Sequence, residues 1–198
     1  SGKDLVAPVV DALRAKGIQV WGWHYVYGYD PLGEARIAVS QTKRFALDGY
    51  VIDAEVEYKE AGRDAVARTF ISELRKGLPS TPVALSTFRW PTYHRSFPYV
   101  AFLEKCDYNM PQVYWMQAHD AAYDLKRSVS EFKAITPYRP IIPTGPAFGQ
   151  SGWAPTAGEV KTFMDTAKSL GLKGVNFYSW DYSRTKLVEV WNEIANYN

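Results

Sequence analysis

The chain alternates between segments whose apolar residues recur at helical spacing and short apolar runs typical of buried strands. Residues 3–16 show the helical spacing, and Gly17 ends that segment. An aromatic-rich run at 18–28 begins the first strand, and the two kinds of segment alternate from there onward. Thr156, followed three residues later by Glu159, predicts a capping box at the start of a helix. The pattern predicts helices at 31–47, 61–78, 98–105, 120–135, 156–172 and 183–197, and strands at 18–28, 49–56, 81–88, 108–115, 139–149 and 173–182.

This alternation is typical of α/β proteins with parallel strands and right-handed crossovers. Two architectures are open, a doubly wound open sheet and a (β/α)8 TIM-type barrel. Polar and aromatic residues follow nearly every predicted strand. A barrel brings the residues at all its strand ends together at one mouth, whereas an open sheet forms its site at a single switch point in the strand order. We therefore predict the barrel. Because a full barrel has eight strands, we expect residues 1–198 to form a single barrel domain that lacks about two N-terminal strands.

Acidic residues at every second position end the second predicted strand. The run LDGYVIDAEVEY, residues 47–58, carries Asp53, Glu55 and Glu57, whose side chains share one face of an extended chain. Two carboxyl groups this close share a proton, so that one of them stays protonated and can donate to a leaving oxygen. Glycoside hydrolysis requires this division of roles, and we predict Glu55 and Asp53 as catalytic residues. An ion pair or a cap at the strand end is the alternative.

Aromatic residues, including 7 Trp and 14 Tyr, cluster at the ends of apolar runs rather than at helical spacing. Tyr25 alternates with other aromatic residues along one face of the first strand, and His24 lies on the opposite face. Sugar rings stack on aromatic planes, so these side chains could bind a glycan. The alternative for the aromatic residues is packing in the core, and for His24 it is a hydrogen bond within the core. The predicted substrate-binding residues are Tyr25, His24, Gln112, Tyr114, Trp115, Tyr178, Trp180 and Asp181.

The run DGYVIDAE, residues 48–55, resembles the fourth-strand signature D-G-x-D-x-D-x-E of family 18 glycoside hydrolases, the chitinases and their relatives. Asp48, Gly49, Asp53 and Glu55 match this signature, and Val51 stands where the family has the first Asp of its inner pair.

The shorter D-x-E pattern also resembles the strand-end pair of family 25 lysozymes. The runs WHYVYG and FYSWDY are similar to strand ends of that family, and Gln112 and Tyr114 are similar to sixth-strand residues of both families. The resemblance implies that Glu55 is the proton donor, that Asp53 orients the donor or the substrate N-acetyl group, and that Asp181 is a late acidic residue of the mouth. Family 25 also has an Asp on its first strand, and no residue of this sequence matches it. Because of this departure and of Val51, an inactive, glycan-binding barrel is open as an alternative.

The net charge and the residue content indicate which classes of partner, crosslink and cofactor to expect. The net charge is +2 and no run of Lys or Arg occurs, which argues against nucleic acid and membrane partners. Cys106 is the single cysteine, so no internal disulfide forms. The three histidines lack metal-ligand spacing, and no glycine-rich nucleotide motif occurs, so we expect neither a metal nor a cofactor.

The function predicted from these residues is hydrolysis of a β-linked, N-acetylated polysaccharide such as peptidoglycan or chitin. A secreted or cell-wall-directed location suits this substrate better than the cytoplasm. A glycan-binding barrel without activity is the alternative, and an acid–base enzyme acting on a small metabolite with a divalent ion is a third hypothesis.

Overall fold

The computed structural model describes residues 4–197 and has the predicted α/β class, with parallel strands that alternate with helices. The strands are β1 Trp21–Val26, β2 Gly49–Ala54, β3 Val83–Phe88, β4 Tyr108–Gln112, β5 Thr144–Pro146 and β6 Asn176–Tyr178. The helices are α1 Val6–Arg14, α2 Pro31–Arg44, α3 Arg63–Gly77, α4 Tyr99–Leu103, α5 Ala121–Lys133, α6 Ala157–Ser169, α7 Trp180–Lys186 and α8 Val188–Ala195. Over the described residues, no helix combines the length and the apolar character needed to cross a membrane.

The described residues divide into two compact units. The first unit contains residues 4–86 and 96–108, and the second unit contains residues 87–95 and 109–197. That the chain forms a single domain remains a prediction.

In the first unit, β2 pairs in parallel with β1 on one side and with β3 on the other. The register places Tyr25 beside Asp53, and Asp53 beside Ser86. Neighbouring residues in register point to the same face of a sheet, so these three side chains form one row across the ends of the three strands.

The two faces of β2 differ in burial. Tyr50, Ile52 and Ala54 are buried, whereas Val51 and Asp53 are only half-buried. This period of two makes one face of the strand part of the core and leaves the other face for the acidic residues.

Helices α2 and α3 complete the first unit, and local signals in the sequence set their ends. The carboxylate of Asp30 accepts a 3.0 Å hydrogen bond from the Gly33 amide, and Pro31 occupies the first helical position of α2. α3 buries one apolar stripe that includes Phe70 and Leu74.

In the second unit, β5 pairs in parallel with both β4 and β6. Gln112 lies beside Thr144, and Thr144 lies beside Asn176. The predicted capping box is confirmed, since Thr156 and Glu159 exchange hydrogen bonds of 3.2 and 2.7 Å at the start of α6.

All six strands are shorter than predicted, and two of them differ from the prediction most. The predicted strand at 139–149 contains β5 alone, because Pro140 and Pro143 have no amide proton to donate to a ladder. The predicted strand at 173–182 ends at Tyr178, and Trp180 begins α7. The predicted final helix is divided into α7 and α8, which meet at Leu187.

Candidate functional site

Asp53 and Glu55 lie at the carboxyl end of β2 and flank the fully buried Ala54. Both acidic side chains are half-buried, on the side of the strand opposite Ala54. Residues two apart on an extended chain are about 6.5–7 Å apart at Cα, and the charges of both carboxyl groups act on the Tyr25 phenol.

Glu57 joins this group through Tyr25. Its Oε2 accepts a 2.5 Å hydrogen bond from the hydroxyl of Tyr25, the residue that pairs with Asp53 in the sheet. Burial raises the pKa of the Tyr25 phenol above its usual value, and the hydrogen bond to Glu57 raises it further. The charges of Glu55 and Asp53 act in the same direction. The phenol therefore stays protonated and acts as a hydrogen-bond donor to a carboxylate.

A one-turn 3₁₀ helix, Val56–Lys59, positions Glu57. Tyr58 of this turn is completely buried, and its ring meets Phe102 edge-on at a centroid distance of 5.0 Å. Glu57 is half-buried and directly precedes this buried residue in the turn.

Asp48 and Gly49, the first two residues of the signature, have structural roles here. Oδ2 of Asp48 accepts a 2.7 Å hydrogen bond from the Val20 amide, next to β1, and lies 3.8 Å from the Arg14 guanidinium. A Cβ atom on Gly49 would lie 2.2–2.5 Å from the indole of Trp21. These two residues therefore set the alignment of β1 and β2 below the acidic group.

Val51 lies on the same face of β2 as Asp53, between Trp23 of β1 and Ala84 of β3. An apolar side chain consequently occupies the position at which the resembling signature has a carboxylate.

His24 does not lie with the carboxylates, which corrects its prediction as a substrate-binding residue. It lies on the other face of β1, where its Nδ1 is 2.9 Å from the hydroxyl of the buried Tyr50. Burial lowers the pKa of His24, and the charge of Glu34 opposes this shift in part. The alternation of side chains along β1 explains the placement, because Tyr25 occupies the acidic face.

In the second unit, Tyr114 and Tyr178 meet through Phe148, which was not among the predicted residues. The Phe148 ring is 5.2 Å from Tyr114 and 5.9 Å from Tyr178 between centroids, edge-on to both. Tyr178 remains 48% exposed. The signal for Phe148 is its place just after β5, the position by which the other aromatic residues were chosen. Gln112 ends β4 beside Thr144.

Arg89 fixes the backbone at Tyr114. Its Nη1 donates to the Tyr114 carbonyl and, at 2.6 Å, to Oδ2 of Asp124. Asp124 is only 1% exposed; burial raises the pKa of this carboxyl and the Arg89 charge opposes the rise. A buried ion pair of this kind holds a geometry more than it adds stability.

Trp115 is also corrected. Its side chain is completely buried and packs against Phe163 at a centroid distance of 5.1 Å. β4 ends at Gln112, so Trp115 lies beyond the strand in a segment that turns into the core, and its ring is inaccessible to a ligand.

Trp180 and Asp181 begin α7 rather than ending a strand. Trp180 is 56% exposed, with the Arg184 guanidinium 5.1 Å from its ring centroid. The hydroxyl of Ser179 donates a 2.6 Å hydrogen bond to Asp181 and, with the Tyr182 amide, lowers the pKa of that carboxyl. Asp181 is therefore ionised and stabilises the amino end of α7.

Among residues 4–197, no three His, Cys, Asp or Glu side chains are arranged so that they could hold a metal ion.

No protein-family model and no curated protein matches this sequence. Solved structures do share the fold. A chitinase from Chromobacterium violaceum superposes with a TM-score of 0.72 at 12% identity, over 98% of this chain and 86% of that chain. The catalytic domain of a family GH18 chitinase from the fern Peteris ryukyuensis gives a TM-score of 0.68 at 17% identity, over 96% and 76%.

The spore cortex-lytic enzyme SleL of Bacillus megaterium gives a TM-score of 0.68 at 11% identity, over 98% of this chain and 63% of that chain. Likenesses at this level of identity establish the fold. The resemblance to barrel glycoside hydrolases of the chitinase type is thus confirmed for the fold, at low sequence identity.

Proposed function

We propose that this protein is a glycoside hydrolase that cleaves a β-linked, N-acetylated polysaccharide of the peptidoglycan or chitin type. The observation that carries the proposal is the group of Tyr25, Asp53, Glu55 and Glu57 at the ends of β1 and β2. A phenol that stays protonated and three neighbouring acidic residues suit proton transfer to a glycosidic oxygen. The glycoside hydrolases that share the fold support the same reaction class.

Glu55 is the general acid in this proposal. Its carboxyl proton passes to the glycosidic oxygen as the bond from that oxygen to the anomeric carbon breaks, and the leaving sugar departs with a new hydroxyl group. The resemblance to family 18 implies that the acetamido oxygen of the substrate attacks the anomeric carbon. Water then opens this intermediate, and the Glu55 carboxylate accepts the proton of that water.

Asp53 is the partner of Glu55. Its carboxylate can accept a hydrogen bond from the acetamido N–H and so orient that group toward the anomeric carbon. Tyr25 donates a hydrogen bond to Glu57 beside this pair. In the second unit, the proposed sugar contacts are Gln112, Tyr114, Tyr178, Trp180 and Asp181.

Release of reducing ends from chitin oligomers and from peptidoglycan tests the proposal. Wild type is expected to release sugar, and Glu55→Gln is expected to lose most of this activity. Glu189→Gln, an exposed change in α8, is the matched control and should retain it. Equal release by wild type and Glu55→Gln would refute the assignment of Glu55.

Val51 favours a second candidate function, which is binding of glycan without cleavage. It places an apolar side chain next to Asp53 on the acidic face. Sedimentation of the protein with insoluble chitin or cell wall, without any reducing ends over a long incubation, would support this second function over hydrolysis.

A further inference from the structure

Three tyrosines, Tyr25, Tyr27 and Tyr29, extend from the acidic group of the first unit toward solvent. The ring centroids of Tyr25 and Tyr27 are 4.8 Å apart. Those of Tyr27 and Tyr29 are 6.2 Å apart, with ring planes 11° from parallel. Exposure rises along the series, since Tyr27 is 48% exposed and Tyr29 is 71% exposed. We call these three side chains the tyrosine row.

The backbone of the row is fixed at Gly28, which lies between the two outer tyrosines. Both carboxylate oxygens of Glu34 accept hydrogen bonds from the Gly28 amide, at 3.1 and 3.0 Å, and Arg63 donates a 2.8 Å bond to the Gly28 carbonyl. Gly28 has a φ of +71°, and a Cβ atom there would lie 2.9 Å from the ring of Tyr58. The turn therefore has one conformation that glycine alone fits well.

Arg63 also supports the outer end of the row. Its guanidinium carbon lies 5.2 Å from the ring centroid of Tyr29, and its other nitrogens bind Glu60. The side chain of Arg63 is only 12% exposed, so Tyr29 rests on a group that is itself held in place. The most exposed ring of the row is thus positioned by the protein before any ligand arrives.

Large rings that are exposed and held by a fixed backbone suit ligand stacking, because little conformational entropy is lost on binding. Tyrosine combines an apolar face with a polar edge, which matches a sugar ring with C–H faces and hydroxyl groups at its rim. The steps between the rings are on the scale of one sugar unit. Because Tyr25 belongs both to the row and to the acidic group, the same polysaccharide chain is the occupant that fits the row.

We propose that Tyr27 and Tyr29 form outer sugar-binding subsites, which make the protein select long chains of β-1,4-linked N-acetylglucosamine over short ones. This inference rests on the proposed function for the choice of ligand. It adds that affinity depends on chain length, and that the two outer tyrosines are the cause.

Titration calorimetry with chitin oligomers of two and six sugars tests this proposal. All proteins carry Glu55→Gln, so that the oligomers are cleaved too slowly to affect the measurement. Tyr27→Ala and Tyr29→Ala are each expected to weaken hexamer binding about tenfold, which corresponds to about 1.4 kcal/mol. Dimer binding should change less than about twofold.

Two sets of variants control for other causes. Tyr27→Phe and Tyr29→Phe keep the ring and should keep most of the hexamer affinity. Tyr138→Ala removes a tyrosine that is 44% exposed in the second unit, and should leave binding unchanged. A Phe variant that loses as much affinity as the Ala variant would overturn stacking as the mechanism.

The proposal is also overturned if the Ala variants bind the hexamer as well as their parent, or if they lose equal affinity for dimer and hexamer. Hexamer binding that depends on the row, in a protein whose wild type releases no reducing ends, would support the row and reject hydrolysis. If the wild type releases reducing ends but hexamer binding does not depend on the tyrosine row, hydrolysis is supported and the row is rejected. If the parent binds neither oligomer, the row is not a chitin site.

Discussion

The hydroxyl of Tyr25 donates a 2.5 Å hydrogen bond to Oε2 of Glu57, which connects β1 to the turn after β2. The two residues are 32 positions apart in the sequence, and neither their spacing nor their type indicates the contact. The bond links a phenol of raised pKa to the third acidic residue of the site, so Glu57 has a partner other than Asp53 and Glu55. The three acidic residues Asp53, Glu55 and Glu57 are therefore not equivalent.

The Tyr25–Glu57 bond is expected to couple the two residues energetically. A hydrogen bond to a charged group contributes about 1.5–3 kcal/mol, so Tyr25→Phe and Glu57→Gln should each lower the free energy of unfolding. Because each single change breaks the same bond, the double variant should be no less stable than the worse single variant. Urea unfolding of the four proteins gives the coupling energy. Strictly additive losses would show that the contact adds nothing to stability.

The need for a proton from Glu55 should depend on the leaving group. General acid catalysis contributes about 10²–10⁴-fold, so Glu55→Gln is expected to lower kcat by this factor on a chitin oligomer. A nitrophenyl glycoside leaves as a stable anion without protonation, so its cleavage from the anomeric carbon should be much less affected. Steady-state kinetics on both substrates measure the difference. The same loss of kcat/KM on both would assign Glu55 a role other than proton donor, because kcat/KM reports the bond-breaking step and not the later step in which Glu55 acts as base.

His24 is expected to make the fold sensitive to acid. Burial lowers its pKa below the usual value near 6.5, so the unfolded chain binds a proton that the folded chain resists. Stability from this group is complete above that value and is lost as the pH falls through the pKa of the folded protein. His24→Gln should therefore show a shallower decline of melting temperature between pH 7 and pH 5.

Tyr50→Phe is the matched control for that experiment. It removes the hydroxyl that lies 2.9 Å from His24 but keeps the titrating ring. The variant should be less stable at every pH and should keep the dependence on pH. An unchanged slope in His24→Gln would show that another group causes the sensitivity to acid.

Local periodicity was sufficient to predict the α/β class and most of the elements. The apolar spacing before Gly17, the Thr156 capping box and the alternation along β2 are all properties of short segments, and the structure contains each of them. The shortened β5 was not predicted, although Pro140 and Pro143 are visible in the sequence, because their effect depends on which strand lies alongside.

Side-chain environment was harder to predict than secondary structure. Trp115 stands at the end of the predicted strand 108–115, but β4 ends three residues earlier and the indole is buried. The alternation of side chains along β1 already places the His24 ring on the face opposite Tyr25. Only the position of the acidic residues shows which of the two faces belongs to the candidate site. The roles of Asp48 and Gly49 depend on contacts with residues at β1, which are distant from them in the sequence, so local patterns do not predict these roles.

Gly49 should tolerate no side chain, because the ring of Trp21 occupies the space. A Cβ atom would lie 2.2–2.5 Å from three indole atoms, so Gly49→Ala must displace Trp21 or the strand, at a cost of about 1–3 kcal/mol. Gly158→Ala is the matched control, since no atom lies within 4 Å of the added methyl group and the site is helical; it should be neutral or stabilising by up to about 1 kcal/mol. Urea unfolding followed by tryptophan fluorescence measures both variants. If Gly49→Ala unfolds at the same urea concentration as Gly158→Ala, then β1 and β2 are not held together through the contact of Trp21 with Gly49, and the alignment of the acidic group has another origin.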